Sequence, residues 1–266
     1  MRADTHNHTC HFSPDAHMTI DELIETATER HLDIVGITEH YEYDNPDPDD
    51  NIQTFDLDEY TSTFPQWQAK CPSGLTLLKG IEFGYQRHTA GKIDEIASSN
   101  GFDIVILSRH LFRGIDVAFS KEVYKLDRIT RNSEYIGKLA EMAETVNEYS
   151  VIAHYDYIDK YNPERGSRIS YEDCPAEFDR LFEAIISKDK ALEINKATSM
   201  KRSTRPDPEV IKRYLTMGGR LITLGSDAHV KENLGVSISD FEEYLKSLGV
   251  RELCYFRSRQ PFTYGI

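Results

Sequence analysis

Seven short apolar segments recur along the chain, and each ends in His, Asp, Glu or Asn side chains. The predicted strands are Arg2–His6, Ile34–Thr38, Leu75–Phe83, Ile104–Leu107, Val151–Ala153, Ala191–Ile194 and Leu221–Leu224. Helical patterns lie between them, at Thr19–Arg30, Arg131–Glu148, Glu177–Ser187, Pro208–Met217 and Asp240–Leu248. A strand followed by a helix, repeated in this way, indicates a parallel sheet.

This alternation favours a closed βα barrel over an open doubly wound sheet. No Gly-x-Gly-x-x-Gly motif follows the first predicted strand, as a dinucleotide-binding sheet would require. The 266 residues suit one barrel. Neither the acidic loop at 44–51 nor the irregular stretch at 156–174 is long enough to divide the chain. We therefore predict a single domain that spans residues 1–266.

Charge and hydropathy exclude several classes of partner. The formal net charge of −14 argues against nucleic acid and against an anionic membrane, because both need clustered Lys and Arg. No apolar run approaches the length of a membrane span, and the N-terminal residues lack the apolar region of a signal peptide. We expect a cytoplasmic protein with a small-molecule partner. The sequence leaves the oligomeric state open.

Histidines concentrate where the predicted strands end. Six of the ten lie there, namely His6, His8, His40, His110, His154 and His229. In a βα barrel, the carboxyl ends of the strands form the face on which active sites are found. Residues i and i+2 of a strand point the same way, so pairs such as His6 with His8 and Asp227 with His229 can converge on one ion. A Glu on an inner strand, here Glu82, can bridge two ions.

Burial of so many ionisable groups is costly unless they are paired or bind metal. A single His at a strand end is usually a structural residue, but the whole set predicts a metal centre. Imidazole and carboxylate ligands together suit Zn, Fe or Mn. Two such ions can activate a water and hold a phosphoryl oxygen, so the pattern predicts a metal-dependent hydrolase.

Six motifs, in order along essentially the whole chain, resemble those of the PHP (polymerase and histidinol phosphatase) family. They are Asp-Thr-His-Asn-His at 4–8, Thr-Glu-His at 38–40, Gly-Ile-Glu at 80–82, Ser-Arg-His at 108–110, Val-Ile-Ala-His at 151–154 and Gly-Ser-Asp-Ala-His at 225–229. The resemblance implies a distorted seven-stranded TIM-like barrel. It also implies up to three Zn, Fe or Mn ions at the C-terminal ends of the strands.

The family pattern also implies a set of metal ligands. It comprises His6, His8, Asp15, His40, Glu82, His110, His154, Asp227 and His229. By the same analogy, His6 and His8 share one ion with Glu82 and Asp227. Glu82 holds a second ion with His110 and His154. Asp15, His40 and His229 hold a third.

Within the family, the chain most resembles the histidinol-phosphate phosphatases. The segments that carry this likeness are Phe12–Asp15, Gly36–His40, Gly80–Tyr85 and Leu192–Asn195, together with Gly235 after the last motif. The likeness implies hydrolysis of L-histidinol phosphate, a step of histidine biosynthesis. The sequence departs from the family pattern at Arg109, Ala153 and Lys196, which affects the pocket more than the metal ligands.

Further roles follow from the position of basic residues on the same barrel face. Arg165, Arg168 and Arg202 follow the fifth and sixth strands and are candidate phosphate ligands, with Arg202 favoured. His17, in the first loop, is a candidate general acid for the leaving alcohol. Two alternatives stay open: hydrolysis of another bond, such as one in a nucleotide or an amide, and a non-catalytic metal-binding module.

Overall fold

The computed structural model describes residues 1–47, 50–119, 121–164, 167–196 and 205–266. Eleven strands lie within these ranges: β1 (Ala3–Asp4), β2 (Ile34–Tyr41), β3 (Thr76–Gly84), β4 (Ile104–Ser108), β5 (Leu111–Phe112), β6 (Ile115–Asp116), β7 (Val151–Ile152), β8 (Ala191–Asn195), β9 (Ile222–Gly225), β10 (Glu252–Arg257) and β11 (Gln260–Gly265). Seven of them form one parallel sheet in the order β1-β2-β3-β4-β7-β8-β9.

The two edges of this sheet meet, so the sheet curls into a barrel. The backbone N–H of Thr5 donates to the carbonyl of Leu224 at 3.0 Å. Just beyond the strands, Asn7 and Ala228 form a parallel bridge. The predicted seven-stranded barrel is therefore confirmed, and the open doubly wound alternative is wrong.

Helices connect the barrel strands. Those in the described residues are α1 (Ile20–Glu29), α2 (Leu57–Gln68), α3 (Ala90–Ser99), α4 (Arg128–Thr145), α5 (Tyr157–Lys160), α6 (Pro175–Ser187), α7 (Pro208–Thr216) and α8 (Ile238–Ser247). Helix α1 begins at a capping box, in which Thr19 and Glu22 satisfy each other's backbone N–H groups. No described helix has the length and apolar character needed to cross a membrane.

Helix α2 matters for the site because it anchors the loop after β1. Phe12, in that loop, packs edge-on against Tyr60 of α2, with ring centroids 5.2 Å apart, and also contacts Trp67. Tyr60 and Trp67 are buried in the core. The aromatic contacts fix the path of the loop, and with it the position of Ser13 and Asp15 at the barrel face.

Two hairpins were not predicted from the sequence. Strands β5 and β6 pair antiparallel, with Leu111 opposite Asp116, immediately after β4 and over the face where the barrel strands end. Strands β10 and β11 pair antiparallel near the C-terminus. Helices α2 and α3 were also missed. Helix α2 contains Pro65, which interrupts a helical pattern in the sequence.

Candidate metal centre

Glu82, at the carboxyl end of β3, lies at the centre of the predicted ligand set. Its side chain is completely buried. Five imidazole nitrogens approach its two oxygens, at distances of 2.7 to 3.5 Å; they belong to His6, His8, His40, His110 and His154. Five rings from four barrel segments, two of them after β1, therefore converge on one carboxylate, as a bridging ligand would require.

Asp227 forms a second point of convergence. Its Oδ1 atom lies 3.3 Å from His8 Nε2 and 3.9 Å from His6 Nε2. The residue has a left-handed backbone, with φ of 52°, which is uncommon outside glycine. This conformation directs the carboxylate towards the two histidines that follow β1.

Asp15, His40 and His229 form the outer part of the cluster. Asp15 Oδ2 lies 2.9 Å from His229 Nε2 and 3.6 Å from His40 Nε2. The two Nε2 atoms are 3.2 Å apart. The structure thus brings together the three side chains that the family resemblance groups around one ion.

Compact groups of possible ligand atoms occur within this assembly. Those whose ligand atoms all lie within 4.8 Å of one another are His8-His40-His229, His6-Glu82-His154, His6-His8-Asp227 and His40-Glu42-His110. Eight of the nine predicted ligands occur in these groups, and the ninth, Asp15, joins the cluster through His40 and His229. The grouping differs in part from the implied one, because His8 lies near His40 and His229 as well as near Asp227.

Several ligand atoms in the cluster are buried without a hydrogen bond to any described residue. They are His6 Nε2, His8 Nε2, His40 Nδ1, His154 Nδ1, Asp15 Oδ1 and Glu82 Oε2. Each such atom costs about 1–3 kcal/mol if it stays unpaired. Coordination of Zn, Fe or Mn would satisfy these nitrogens and carboxylate oxygens, so the donor set fits a metal centre.

The electrostatics of the cluster keep its two central carboxylates ionised, as metal ligands must be. Burial alone would raise the pKa of Glu82, but the positive charges of His6, His40 and His110 outweigh it and hold this pKa well below its usual range. Burial would likewise raise the pKa of Asp227, and Lys160 is the largest of the opposing influences that hold it low.

The imidazoles divide into two classes. Burial lowers the pKa of His8 and of His154. Burial also acts to lower the pKa of His40, but Glu82 and Asp15 overcome this and raise it to about 10. Histidines that bind metal are neutral, so divalent cations would replace protons that the carboxylates otherwise attract.

Two carboxylates that the sequence analysis did not assign orient the ligand rings. His6 Nδ1 donates to Glu193 Oε1 at 2.7 Å, and His110 Nδ1 donates to Glu42 Oε1 at 2.6 Å. When these rings are neutral, as metal ligands are, the proton held on Nδ1 leaves Nε2 with a lone pair that faces Glu82. Glu193 also accepts the backbone N–H of His154 at 2.9 Å.

Glycines in the motifs make room for these carboxylates. A side chain on Gly84 would collide with the Glu42 carboxylate, and one on Gly225 would collide with Glu193 and with His6. The glycine that ends β3 and the glycine of the Gly-Ser-Asp motif therefore have a steric cause. The two glycines are visible in the sequence, but the sequence does not show which acidic side chain occupies the space beside each of them.

A third carboxylate, Glu39, lies behind the loop after β1. It accepts hydrogen bonds from Ser13 Oγ at 2.6 Å and from the backbone N–H of Thr9 at 3.0 Å. Burial raises the pKa of Glu39 to about 7. Ser13 Oγ in turn accepts the backbone N–H of His40 at 3.1 Å, which ties the loop to the end of β2.

A cavity of about 470 Å³ opens onto the candidate metal centre. The candidate ligands on its wall are Asp15, His40, His110, Asp227 and His229. The rest of the described wall comprises Ile52, Asp116, Tyr157, Lys160, Tyr161, Ser226 and Asn233. A cavity of this size admits a small metabolite beside the cluster, as a catalytic centre requires.

Lys160 is a cation of this wall that the sequence analysis did not assign. Its Nζ atom lies 2.9 Å from Asp227 Oδ2, and 5.3 Å and 5.8 Å from the ring centroids of Tyr157 and Tyr161. Burial would lower its pKa, but Asp227 outweighs that influence and the pKa is raised. Lys160 therefore places a positive charge at the cavity.

The predicted substrate-binding residues and the predicted general acid do not occur on the described wall of the cavity. Arg168 is not among the residues that line the cavity; it forms an ion pair with Asp207 at 3.5 Å, and its side chain is 44% exposed. This position does not favour its predicted contact with phosphate. Arg165 and Arg202 lie outside the described residues. His17 is exposed and does not line the cavity, although its backbone N–H donates to the carbonyl of His229 at 2.7 Å.

The chain is similar to known proteins along most of its length. The sequence profile of the PHP domain matches residues 4–197. A probable histidinol-phosphatase of Clostridium acetobutylicum is 29% identical over 242 residues, which cover 90% of this chain and 91% of that protein. A histidinol-phosphatase of Lactococcus lactis is 27% identical over 258 residues, or 96% of this chain and 94% of the relative.

Solved structures show the same architecture. The crystal structure of the L. lactis histidinol phosphate phosphatase, in complex with zinc, L-histidinol and phosphate, superposes with a TM-score of 0.86 at 25% identity. The superposition covers 98% of each chain. Because the family profile spans most of the sequence and the motifs meet at one barrel face, this chain belongs to the PHP domain family.

Proposed function

We propose that this protein is a metal-dependent phosphatase that hydrolyses L-histidinol phosphate to L-histidinol and phosphate. The observation that carries the proposal is the buried cluster of imidazoles and carboxylates whose unpaired atoms adjoin a cavity. Relatives named as histidinol-phosphatases align along nearly the whole chain. A non-catalytic metal site would be closed by protein ligands, whereas here a substrate has access.

The nine clustered side chains would hold up to three ions of zinc, iron or manganese. When bound, the ions would supply an activated water and offset negative charge on the phosphoryl oxygens. The chain itself fixes the geometry. Glu193 and Glu42 hold the rings of His6 and His110 through their Nδ1 atoms, so both Nε2 atoms point into the centre.

Lys160 is the described cation best placed to bind the phosphate. Its ammonium group adjoins Asp227 and lines the cavity. An ammonium acts as a point charge, so it attracts a phosphoryl oxygen without fixing its orientation. The predicted contacts of Arg165 and Arg202 would add a planar donor, because the loops that carry these residues follow barrel strands on the same face.

The leaving alcohol needs a proton, and His17 remains our candidate donor. Its backbone hydrogen bond to His229 anchors it close to the metal cluster. The imidazole would reach the ester oxygen by a side-chain movement into the cavity. An aryl phosphate releases a more acidic phenol, so its hydrolysis depends less on this proton.

The test is phosphate release by purified protein loaded with zinc or manganese. We expect turnover of L-histidinol phosphate above that of mononucleotides and phosphodiesters, loss of activity in chelator and recovery when metal is restored. Elemental analysis of the same sample gives the ions per chain. A metal-loaded, folded protein that releases no phosphate from L-histidinol phosphate would refute the proposal.

A further inference from the structure

Asp116, on the β5–β6 hairpin, is a cavity-lining carboxylate outside the metal cluster. Its side chain is almost completely buried, at 4% exposure, yet it contributes to the wall of the cavity. The described candidate metal groups do not include it. A buried charged group facing a cavity requires a partner, because desolvation of an unpaired carboxylate is costly.

The hairpin holds this carboxylate in one orientation. Its Oδ1 atom accepts the backbone N–H of Ala118 at 2.7 Å and the phenol of Tyr157 at 3.3 Å. Its own backbone N–H donates to Asp47 Oδ2 at 2.7 Å. Among the described residues, no hydrogen bond to the second oxygen, Oδ2, occurs. One oxygen therefore fixes the side chain, and the other is available to a ligand.

Asp116 lies beside the metal cluster. In the hairpin it pairs directly with Leu111, the residue after His110, and the N–H of Val117 donates to the carbonyl of His110 at 3.4 Å. Neighbouring strands lie about 4.8 Å apart. A phosphate bound at the cluster would therefore place the substituent on its ester oxygen within reach of this carboxylate.

The surroundings of Asp116 favour a cation. Burial raises the pKa of Asp116; His110 and the hydrogen bond from Ala118 are the main opposing influences, and repulsion from the carboxylates of Asp50 and Glu42 adds to the rise. Its carboxylate forms no ion pair with a described Lys or Arg side chain. A positively charged group would relieve the repulsion, whereas an anion would increase it.

We propose that Asp116 binds the α-ammonium group of the substrate and thereby selects an aminoalkyl phosphate. The inference rests on the proposed function and names the residue that recognises the amine. In L-histidinol phosphate, two carbon atoms separate the ester oxygen from the ammonium nitrogen, and the imidazole lies further along the chain. The ammonium is the cation closest to the phosphate, so it meets the carboxylate beside His110.

The experiment is a cycle of two proteins and two substrates. Wild type and Asp116→Asn are assayed with L-histidinol phosphate and with its desamino analogue, 3-(imidazol-4-yl)propyl phosphate. Asn keeps an oxygen to accept the bonds from Ala118 and Tyr157 but loses the charge. We expect the ratio of the two kcat/KM values, with and without the amine, to fall about 10- to 100-fold in the variant.

Asp50→Asn is the matched control. Asp50 is also buried and acidic, but it bonds to Asn45 and to the backbone of Ile52 and does not line the cavity. If Asp116 acts by direct contact, the control keeps the substrate ratio within about twofold. An equal fall in the substrate ratio of both variants would overturn the proposal, because the effect would then come from the electrostatic potential of the acidic region and not from direct contact with Asp116.

Other outcomes are equally decisive. A wild-type protein inactive on L-histidinol phosphate would refute the proposed function itself. If the wild type is active, an equal loss of kcat/KM on both substrates in Asp116→Asn would assign Asp116 to the metal centre or to the imidazole and overturn the inference. Unchanged kcat/KM on both substrates would also overturn it. Zinc content and thermal unfolding are measured on each protein. If the Asp116→Asn protein does not fold, Asp116→Ser gives the same test, because the Ser hydroxyl can accept the hydrogen bond from the backbone N–H of Ala118.

Discussion

Replacement of Glu82 by Gln tests whether one carboxylate bridges two ions. The change keeps the size of the side chain but removes its charge. It also places an N–H donor where two oxygens now face five imidazoles at 2.7 to 3.5 Å. If Glu82 bridges, both flanking ions lose a ligand together, whereas a terminal ligand would affect one ion alone.

The size of the effect follows from the contacts. Loss of a partner that only orients a ligand costs about 10–100-fold in metal affinity, and loss of a ligand costs at least that. Weaker binding of two ions then corresponds to a loss of about 10²–10⁴-fold in their combined occupancy, or about 2.7–5.5 kcal/mol. We expect metal per chain to fall for two ions at limiting zinc, and kcat/KM to fall with it.

The assay combines elemental analysis after dialysis at fixed zinc with phosphate release. Glu39→Gln is the matched control, because Glu39 is equally buried on the neighbouring strand but bonds to Ser13 and Thr9. That control should keep its metal. Full metal content and near-normal activity in Glu82→Gln would remove Glu82 from the centre, and loss of one ion only would refute the bridge.

Four further substitutions separate the remaining roles. Glu193→Gln should weaken zinc binding about 10–100-fold in a metal titration, because His6 Nδ1 loses its charged acceptor. Lys160→Met should lower kcat/KM for phosphate esters about tenfold or more; a change in KM alone would indicate ground-state binding only. Arg202→Lys should lower kcat/KM about tenfold, or about 1.4 kcal/mol, with metal content unchanged, because Lys lacks the planar fork. His17→Gln should slow hydrolysis of the alkyl ester more than that of an aryl phosphate; equal slowing would exclude the proton-donor role.

The barrel and the cluster could be predicted because both follow from periodicity. Parallel strands place their carboxyl ends on one face of the barrel. The polar residues that follow each apolar run therefore lie close together, and this does not depend on the length of the intervening helices. The pair His6 and His8 needs only the two-residue repeat of a strand. These relations join residues that are close in sequence, so they do not depend on the exact first residue of each strand or helix.

The orienting carboxylates show the limit of that reasoning. Glu42 directly follows β2, two residues after His40, yet it bonds to His110, which follows β4. Glu193 is the acid of its own strand-end motif, but it bonds to His6, which is 187 residues away. Periodicity indicates the face of a side chain, whereas its partner depends on the register between strands, which sequence alone does not provide.

Lys160 and Asp116 could not be predicted for a different reason. Lys160 ends a four-residue helix, and Asp116 ends a two-residue strand, so neither segment is long enough to show a pattern. Their positions depend on the path of loops after β7 and β4. Arg168 illustrates the converse, since a location after a barrel strand did not bring its side chain to the cavity.

The charges on the cavity wall suit a ligand that carries both signs. Tyr157 contacts both Lys160, whose Nζ lies 5.3 Å from its ring, and Asp116, whose Oδ1 accepts its phenol. No ion pair joins the two charges, although both line the same cavity. Each charge is thus held near the cluster without neutralising the other. A phosphate that also carries an amine can satisfy both, whereas a polyanion would leave the acidic wall unpaired, in agreement with the net charge of −14.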